Sequence, residues 1–160
     1  MAVCICIIKY WNQEEKKISE IIVAYWSGTG NTAAMADYIG QGIKESGKNA
    51  RVVSISDITP DSLRNESVFA LGCPSMGAEQ LEEGEMEPFV EAVKAFAAGK
   101  TIGLFGSYGW GDGEWMRTWV DDMKAVGARV VRGEDAICNE APDEEAIEAC
   151  KELGRDLAKA

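Results

Sequence analysis

The sequence predicts one α/β domain, a parallel sheet of five strands with helices on both faces. Three observations predict it. The apolar runs are short and continuous rather than alternating, as in strands buried on both faces. Between them lie segments with apolar residues at helical spacing, several closed by glycine. The 160 residues suffice for one domain with a sizeable core, with no internal repeat, low-complexity segment or linker to divide them.

The elements follow in order. Ile21 to Tyr25 is the first strand. Asn31 to Ser46 is a helix that puts Ala34, Met35, Tyr38, Ile39 and Ile43 on one face, and Gly47 stops it. Arg51 to Ile55 and Val68 to Leu71 are the second and third strands, the latter running into Gly72-Cys73-Pro74. Glu87 to Ala97 is helical, with Phe89, Val93 and Phe96 at helix spacing. Thr101 to Phe105 is the fourth strand, and Glu114 to Val126 is a helix closed by Gly127. Arg129 to Val131, resuming at Ala136 to Cys138, is the fifth strand, and Pro142 to Ala158 is the last helix.

Residues 1–19 do not match this pattern. The stretch has a short apolar part, then Lys9 and a charged run, with no small-residue cleavage site for a secretory signal. It reads as a loose N-terminal extension to a domain at 20–160, with an extra edge strand as the alternative. Gln13-Glu14-Glu15-Lys16-Lys17 also reads as a translated ribosome-binding site, which would place a natural start near Ile18.

The net charge is −11 and there is no histidine. Such a surface repels nucleic acid and anionic lipid and favours basic protein partners. Cys4, Cys6, Cys73, Cys138 and Cys150 form no CxxC pair, so a zinc site or disulfide framework is not expected, and a reducing cytoplasm is.

In parallel sheets of this kind, ligands sit beyond the carboxyl ends of the strands. Four loops there are unusual in composition: Ser27–Thr32, Cys73–Glu85, Ser107–Glu114 and Asn139–Pro142. The first holds Ser27, Gly28, Thr29, Gly30, Asn31 and Thr32 at the start of a helix, where backbone N–H groups and hydroxyls can solvate an anion. It lacks the lysine of a nucleotide-hydrolysing phosphate loop. A cysteine-phosphatase loop at Cys73 would need an arginine where Glu79 stands. The loose G-x-G-x-x-A pattern over Gly28 to Ala33 lacks a well-placed acid after the second strand, since Asp57 comes late. The hydroxyls suit a terminal phosphate monoester; a hydroxyl-rich helix cap is the alternative.

Gly106-Ser107-Tyr108-Gly109-Trp110-Gly111 alternates glycine with larger side chains, and a tryptophan between two glycines suggests a flat ligand to stack against. Trp115 and Trp119 read instead as core packing. Ser75 precedes Met76-Gly77-Ala78-Glu79, which reads as a tight turn, with Met76 able to cover a ring face. Glu79, Glu82, Glu83, Glu85 and Glu87 form an acidic rim, which is also an acidic helix start, with Glu79 the one that touches ligand. A phosphate cradle, an aromatic slot and an acidic rim describe a site for a flat, phosphorylated heteroaromatic molecule, and FMN fits.

From about residue 20 onward the chain resembles the short-chain flavodoxins of anaerobic bacteria. The resemblance rests on Tyr25 to Thr32, Leu71 to Glu79, Leu104 to Gly113 and Asn139 to Asp143, in family order. It implies the flavodoxin-like strand order 2-1-3-4-5, non-covalent FMN and one-electron transfer without a substrate of its own. The implied partners are basic surfaces of redox proteins, such as ferredoxin or flavodoxin reductases and acceptor oxidoreductases, met by a monomer. By motif, Trp26 and Ser27 to Thr32 border the phosphate, with help from Ser107. Trp110 and Met76 lie on the two flavin faces, with Tyr108 beside them. The Gly77 carbonyl accepts the N5 hydrogen of reduced flavin, through a turn expected to be type II with positive φ at Ala78. Glu79 binds the N3 edge, Gly109 and Gly111 the pyrimidine carbonyls, and Asn139 the ribityl chain. Pro74 replaces a hydroxyl residue of some relatives and is given no polar role. The alternative function is an NAD(P)H or quinone reductase built on the same fold.

Overall fold

In β1, Glu20–Tyr25, Ile21 and Val23 pack on one face of the sheet and Ile22 and Ala24 on the other. All four are buried, which is why the sequence shows a continuous apolar run there. The computed structural model describes residues 20–160, so the reading of residues 1–19 lies outside the described residues. The further elements are α1 (Asn31–Glu45), β2 (Asn49–Ser54), β3 (Val68–Gly72), α2 (Met86–Lys94), β4 (Thr101–Tyr108), α3 (Glu114–Ala125), β5 (Arg129–Val130), β6 (Ile137–Asn139) and α4 (Glu144–Lys159).

The strands are all parallel, in the order β2-β1-β3-β4-β5, with β6 also beside β4. The expected architecture and strand order are therefore present. One core packs α2 and α3 against the sheet through Phe89, Val93, Met116, Trp119 and Met123. The other packs α1 and α4 through Met35, Ile39, Ile43, Leu153 and Leu157. The two helices of this second layer touch backbone to backbone. A Cβ at Gly42 would stand 2.1 Å from the Lys151 carbonyl oxygen, and one at Gly154 would stand 2.2 Å from that of Ile39. Glycine inside a helix lowers its intrinsic stability, and here it permits the close crossing.

The fifth position of the sheet is filled by two short strands, with the interruption that the sequence predicts between Val131 and Ala136. β5 pairs with Thr101 and Ile102, and β6 pairs with Gly106 to Tyr108. Between them Arg132 at φ 59° and Gly133 at φ 56° turn the backbone out of the ladder. β4 in turn runs through Tyr108 rather than ending at Phe105, because β6 supplies a partner for Gly106, Ser107 and Tyr108. α2 starts at Met86, a fully buried residue, and ends at Lys94. Its last turn tightens as Ala95 and Phe96 bond back to Ala92 and Val93. Among the described residues, no helix is long and apolar enough to cross a membrane. No group of three or more His, Cys, Asp or Glu side chains among them could hold a metal ion.

Candidate cofactor site

The carboxyl ends of β1, β3, β4 and β6 converge on a cavity of about 340 Å³. Trp26, Gly28, Thr29 and Asn31 line it from the first loop, and Pro74, Ser75 and Met76 from the second. Ser107, Tyr108 and Gly109 line it from the end of β4, and Glu140 from beyond β6. None of these residues is basic.

The first loop is stiffened from within. Gly30 sits at φ 98° at the head of α1, a conformation that residues with a Cβ resist. The Ser27 hydroxyl accepts hydrogen bonds from the Gly30 N–H at 3.1 Å and the Ala33 N–H at 3.4 Å. Thr32 is 1% exposed, and its hydroxyl meets that of Ser107 at 3.3 Å and accepts from the Ser107 N–H at 3.4 Å. Gly28, Thr29 and Asn31 thus face the cavity, while Ser27, Gly30 and Thr32 hold the loop's shape and tie it to β4. The donors are neutral groups at the start of a helix, which suits an anion without a cation beside it.

The second loop leaves β3 under tight restraint. A Cβ at Gly106 would stand 2.1 Å from the Cys73 carbonyl oxygen, so only glycine lets β4 lie so close. The Trp115 indole N–H donates to that same carbonyl at 3.1 Å, and the Ser75 N–H donates to the Ser107 carbonyl at 2.9 Å. Trp115 and Trp119 are core residues, as their spacing predicts. Burial pushes the Cys73 thiol up to about 12, so it is protonated at neutral pH and no nucleophile. The Ser75 hydroxyl oxygen is buried and without a hydrogen-bond partner at the cavity wall.

Met76 and Gln80 then exchange two backbone hydrogen bonds, at 2.8 and 2.9 Å, and close a turn. Gly77 and Glu79, both at φ 51°, take the left-handed conformations, and Ala78 does not, so the turn here differs from the type II form expected with reduced flavin. The turn is closed by five residues rather than four, so the strained positions fall on either side of Ala78. Met76 is 37% exposed and Trp110 56% exposed, and they are the exposed large hydrophobic side chains among the described residues.

Glu79 reaches across to the Trp110 loop. Its carboxylate accepts from the Asp112 N–H at 3.2 Å and the Glu114 N–H at 3.1 Å, at the amino end of α3. Glu79, Gly77, Ala78, Trp110 and Gly111 adjoin the cavity in sequence but are not among its lining. Glu82 is likewise committed to a helix. Its carboxylate accepts from the N–H groups of Gly84 at 2.6 Å, Glu85 at 2.8 Å and Met86 at 2.9 Å. Partial burial pushes its pKa up, and the three N–H bonds together outweigh that and hold it below the ordinary glutamate value.

Asn139 does not line the cavity, but its Nδ2 donates to the Tyr108 carbonyl at 3.3 Å. The next residue, Glu140, does line it, in a left-handed conformation at φ 59° fixed by its N–H bond to the same carbonyl at 2.8 Å. Glu140 and Pro74 are the lining residues that sequence reading left out. The signal for Glu140 was its place at a strand's carboxyl end; nothing in its residue type pointed to a ligand.

Comparison with known proteins agrees with this geometry. The family model described as Flavodoxin matches residues 23–154. The flavodoxin of Clostridium beijerinckii is 48% identical over 136 residues, which is 85% of this chain and 97% of that protein. The flavodoxin of Megasphaera elsdenii is 46% identical over 138 residues, covering 86% and 98%. The solution structure of two-electron reduced Megasphaera elsdenii flavodoxin superposes with a TM-score of 0.80 at 45% identity, covering 88% of this chain and 99% of that one. The loops at the strand ends, the sheet order and these relatives agree: the chain belongs to the flavodoxin family.

Proposed function

We propose that this chain holds FMN without a covalent bond and carries electrons singly, at low potential, between redox proteins, with no substrate of its own. The observation that carries the reading is the cavity with its neutral donors at one end and Met76 and Trp110, both exposed, beside the other loops. The residues fit the cofactor. Thr29 and Asn31 offer polar groups for a phosphate at a helix start, and the Ser75 hydroxyl has an unmet hydrogen-bonding capacity at the cavity wall.

Bound FMN would supply one-electron redox chemistry. The first loop, with Ser27 to Thr32, would hold the phosphate, and Ser107 would complete it from β4. Trp110 and Met76 would pack on the two ring faces and exclude water from them. The Gly77 carbonyl would hold a proton at ring N5, and Glu79 would hold the N3 edge. Gly109 and Gly111 would donate to the pyrimidine carbonyls, and Asn139 would steady the ribityl chain through the β4 end. Ala78 would set how readily the turn presents the Gly77 carbonyl.

The acidic surface supports basic redox proteins as partners of a monomer in the cytoplasm. A groove of about 240 Å³ between α2 and α3, next to the Met76 turn, carries Glu83, Glu87, Glu91 and Asp122. Lys94 is the basic residue in that lining, and it pairs with Glu91 at 2.7 Å. Carboxylates so arranged speed encounter with a basic surface.

The test is to purify the chain, release its cofactor in acid and identify it by chromatography. FMN is the expected product, and FAD or no flavin would sink the reading. Rapid NAD(P)H oxidation by the purified chain alone would favour the reductase alternative.

A further inference from the structure

We propose that Arg117 is a positioning residue, whose guanidinium braces the loop from Gly109 to Gly113 so that Trp110 is held in place for the flavin. The inference rests on the flavin-carrier reading for its functional consequence, and on geometry alone for the brace.

The loop cannot hold itself. Gly109, Gly111 and Gly113 contribute no side chains, and Trp110 is exposed rather than packed in a core. Gly111 at φ 81° and Gly113 at φ 95° are left-handed, so the loop gives up much conformational freedom when it is fixed. Something outside must fix it. Glu79 does so from one side, through the Asp112 and Glu114 N–H groups. Arg117 does so from the other. Its Nη1 donates to the Asp112 carbonyl at 3.0 Å, and its Nη2 donates to Asp112 Oδ1 at 2.8 Å.

The anchor itself is rigid. Arg117 lies in the first turn of α3, and its own N–H bonds the Gly113 carbonyl at 3.1 Å. Nη1 also lies 3.8 Å from Glu134, in the turn between β5 and β6. One guanidinium therefore joins the Trp110 loop, α3 and the segment leading to Asn139 and Glu140. Two donors on a planar fork can hold a carbonyl and a carboxylate of one residue together, which a lysine ammonium cannot reproduce.

The pair is exposed, so its effect on global stability is small. Its effect on a glycine-rich loop otherwise held by Glu79 is larger, because loop order is what the ligand needs beforehand.

The experiment compares Arg117→Lys, Arg117→Gln and, as a control for lost charge elsewhere, Arg51→Gln. Amide hydrogen exchange at Asp112 and Glu114 is measured on the flavin-free chain, and FMN release on the loaded chain. Both Arg117 variants should exchange these amides faster and release FMN roughly three- to fivefold faster, with melting temperature unchanged. The Arg51 variant should match the wild type. Wild-type behaviour of the lysine variant alone would assign the effect to charge and overturn the brace. Wild-type behaviour of both Arg117 variants would overturn it as well. If the wild-type chain takes up no FMN, the carrier reading falls, and the exchange measurement still decides the brace.

Discussion

Removing the Ser75 hydroxyl should move stability and cofactor affinity in opposite directions. In the flavin-free chain the oxygen is buried at the cavity wall and bonds to nothing in the protein. A buried hydroxyl without a partner costs about 1–3 kcal/mol. Water entering the cavity brings the figure toward the lower end. Ser75→Ala deletes that cost and leaves the Ser75 backbone bond to Ser107 intact. The flavin-free variant should therefore be more stable by about 1 kcal/mol, a rise of roughly 3 °C in Tm for a domain of this size. With FMN bound, the hydroxyl has a partner to lose, and binding should weaken by about 1–3 kcal/mol, or roughly 5- to 150-fold in Kd. Urea denaturation of the flavin-free chain and fluorescence titration with FMN measure the two quantities. A variant less stable than wild type, with unchanged FMN affinity, would show that Ser75 packs the loop and does not wait for the cofactor.

Four further outcomes follow from the geometry. Glu83→Gln with Glu85→Gln should raise the potential for adding the second electron by roughly 10–40 mV, and added salt should shrink the change. Anaerobic dye-equilibrated titration measures it, and a salt-independent shift would refute the electrostatic account. Glu82→Gln should act differently, because that carboxylate caps α2. Its folded pKa lies below the unfolded value, so its stabilisation is present above the ordinary glutamate pKa and is lost as pH falls below it. The glutamine variant should be less stable at neutral pH and should lose less on acidification, as read by urea denaturation from neutral pH downward. Gly77→Ala should cost about 1 kcal/mol of stability, because Gly77 is at φ 51° while the nearest atom to an added Cβ, on Gln80, is an ordinary 3.4 Å away. Unchanged stability in denaturation would show that the turn readily takes another conformation. Cys73 should resist alkylation by iodoacetamide at pH 8, since its thiol is pushed up to about 12, and peptide mass spectrometry would detect any labelling.

The sequence by itself determined what local pattern controls. The double-sided burial of β1 is written in Ile21 to Ala24, and the amphipathic faces of α1 and α3 in the spacing of Met35, Ile39 and Ile43 and of Trp115 and Trp119. The array of neutral donors at Ser27 to Thr32 follows from glycines and hydroxyls ahead of a helix. Trp110 could be read as exposed because its neighbours are glycines. Only the tertiary structure decided what depends on partners distant in the chain. β4 extends through Tyr108 because β6 lies beside it, and Gly106 permits the close approach of Cys73. Gly42 and Gly154 weaken their helices when read singly and make a backbone contact only as a pair. Glu79 and Glu82 look alike as rim carboxylates, but one spans to the head of α3 and the other folds back on α2, since unmet N–H groups at helix starts attract whichever carboxylate reaches them. The strained positions fell on Gly77 and Glu79 rather than Ala78 because the hydrogen bonds between Met76 and Gln80, not residue preference, set the length of the turn.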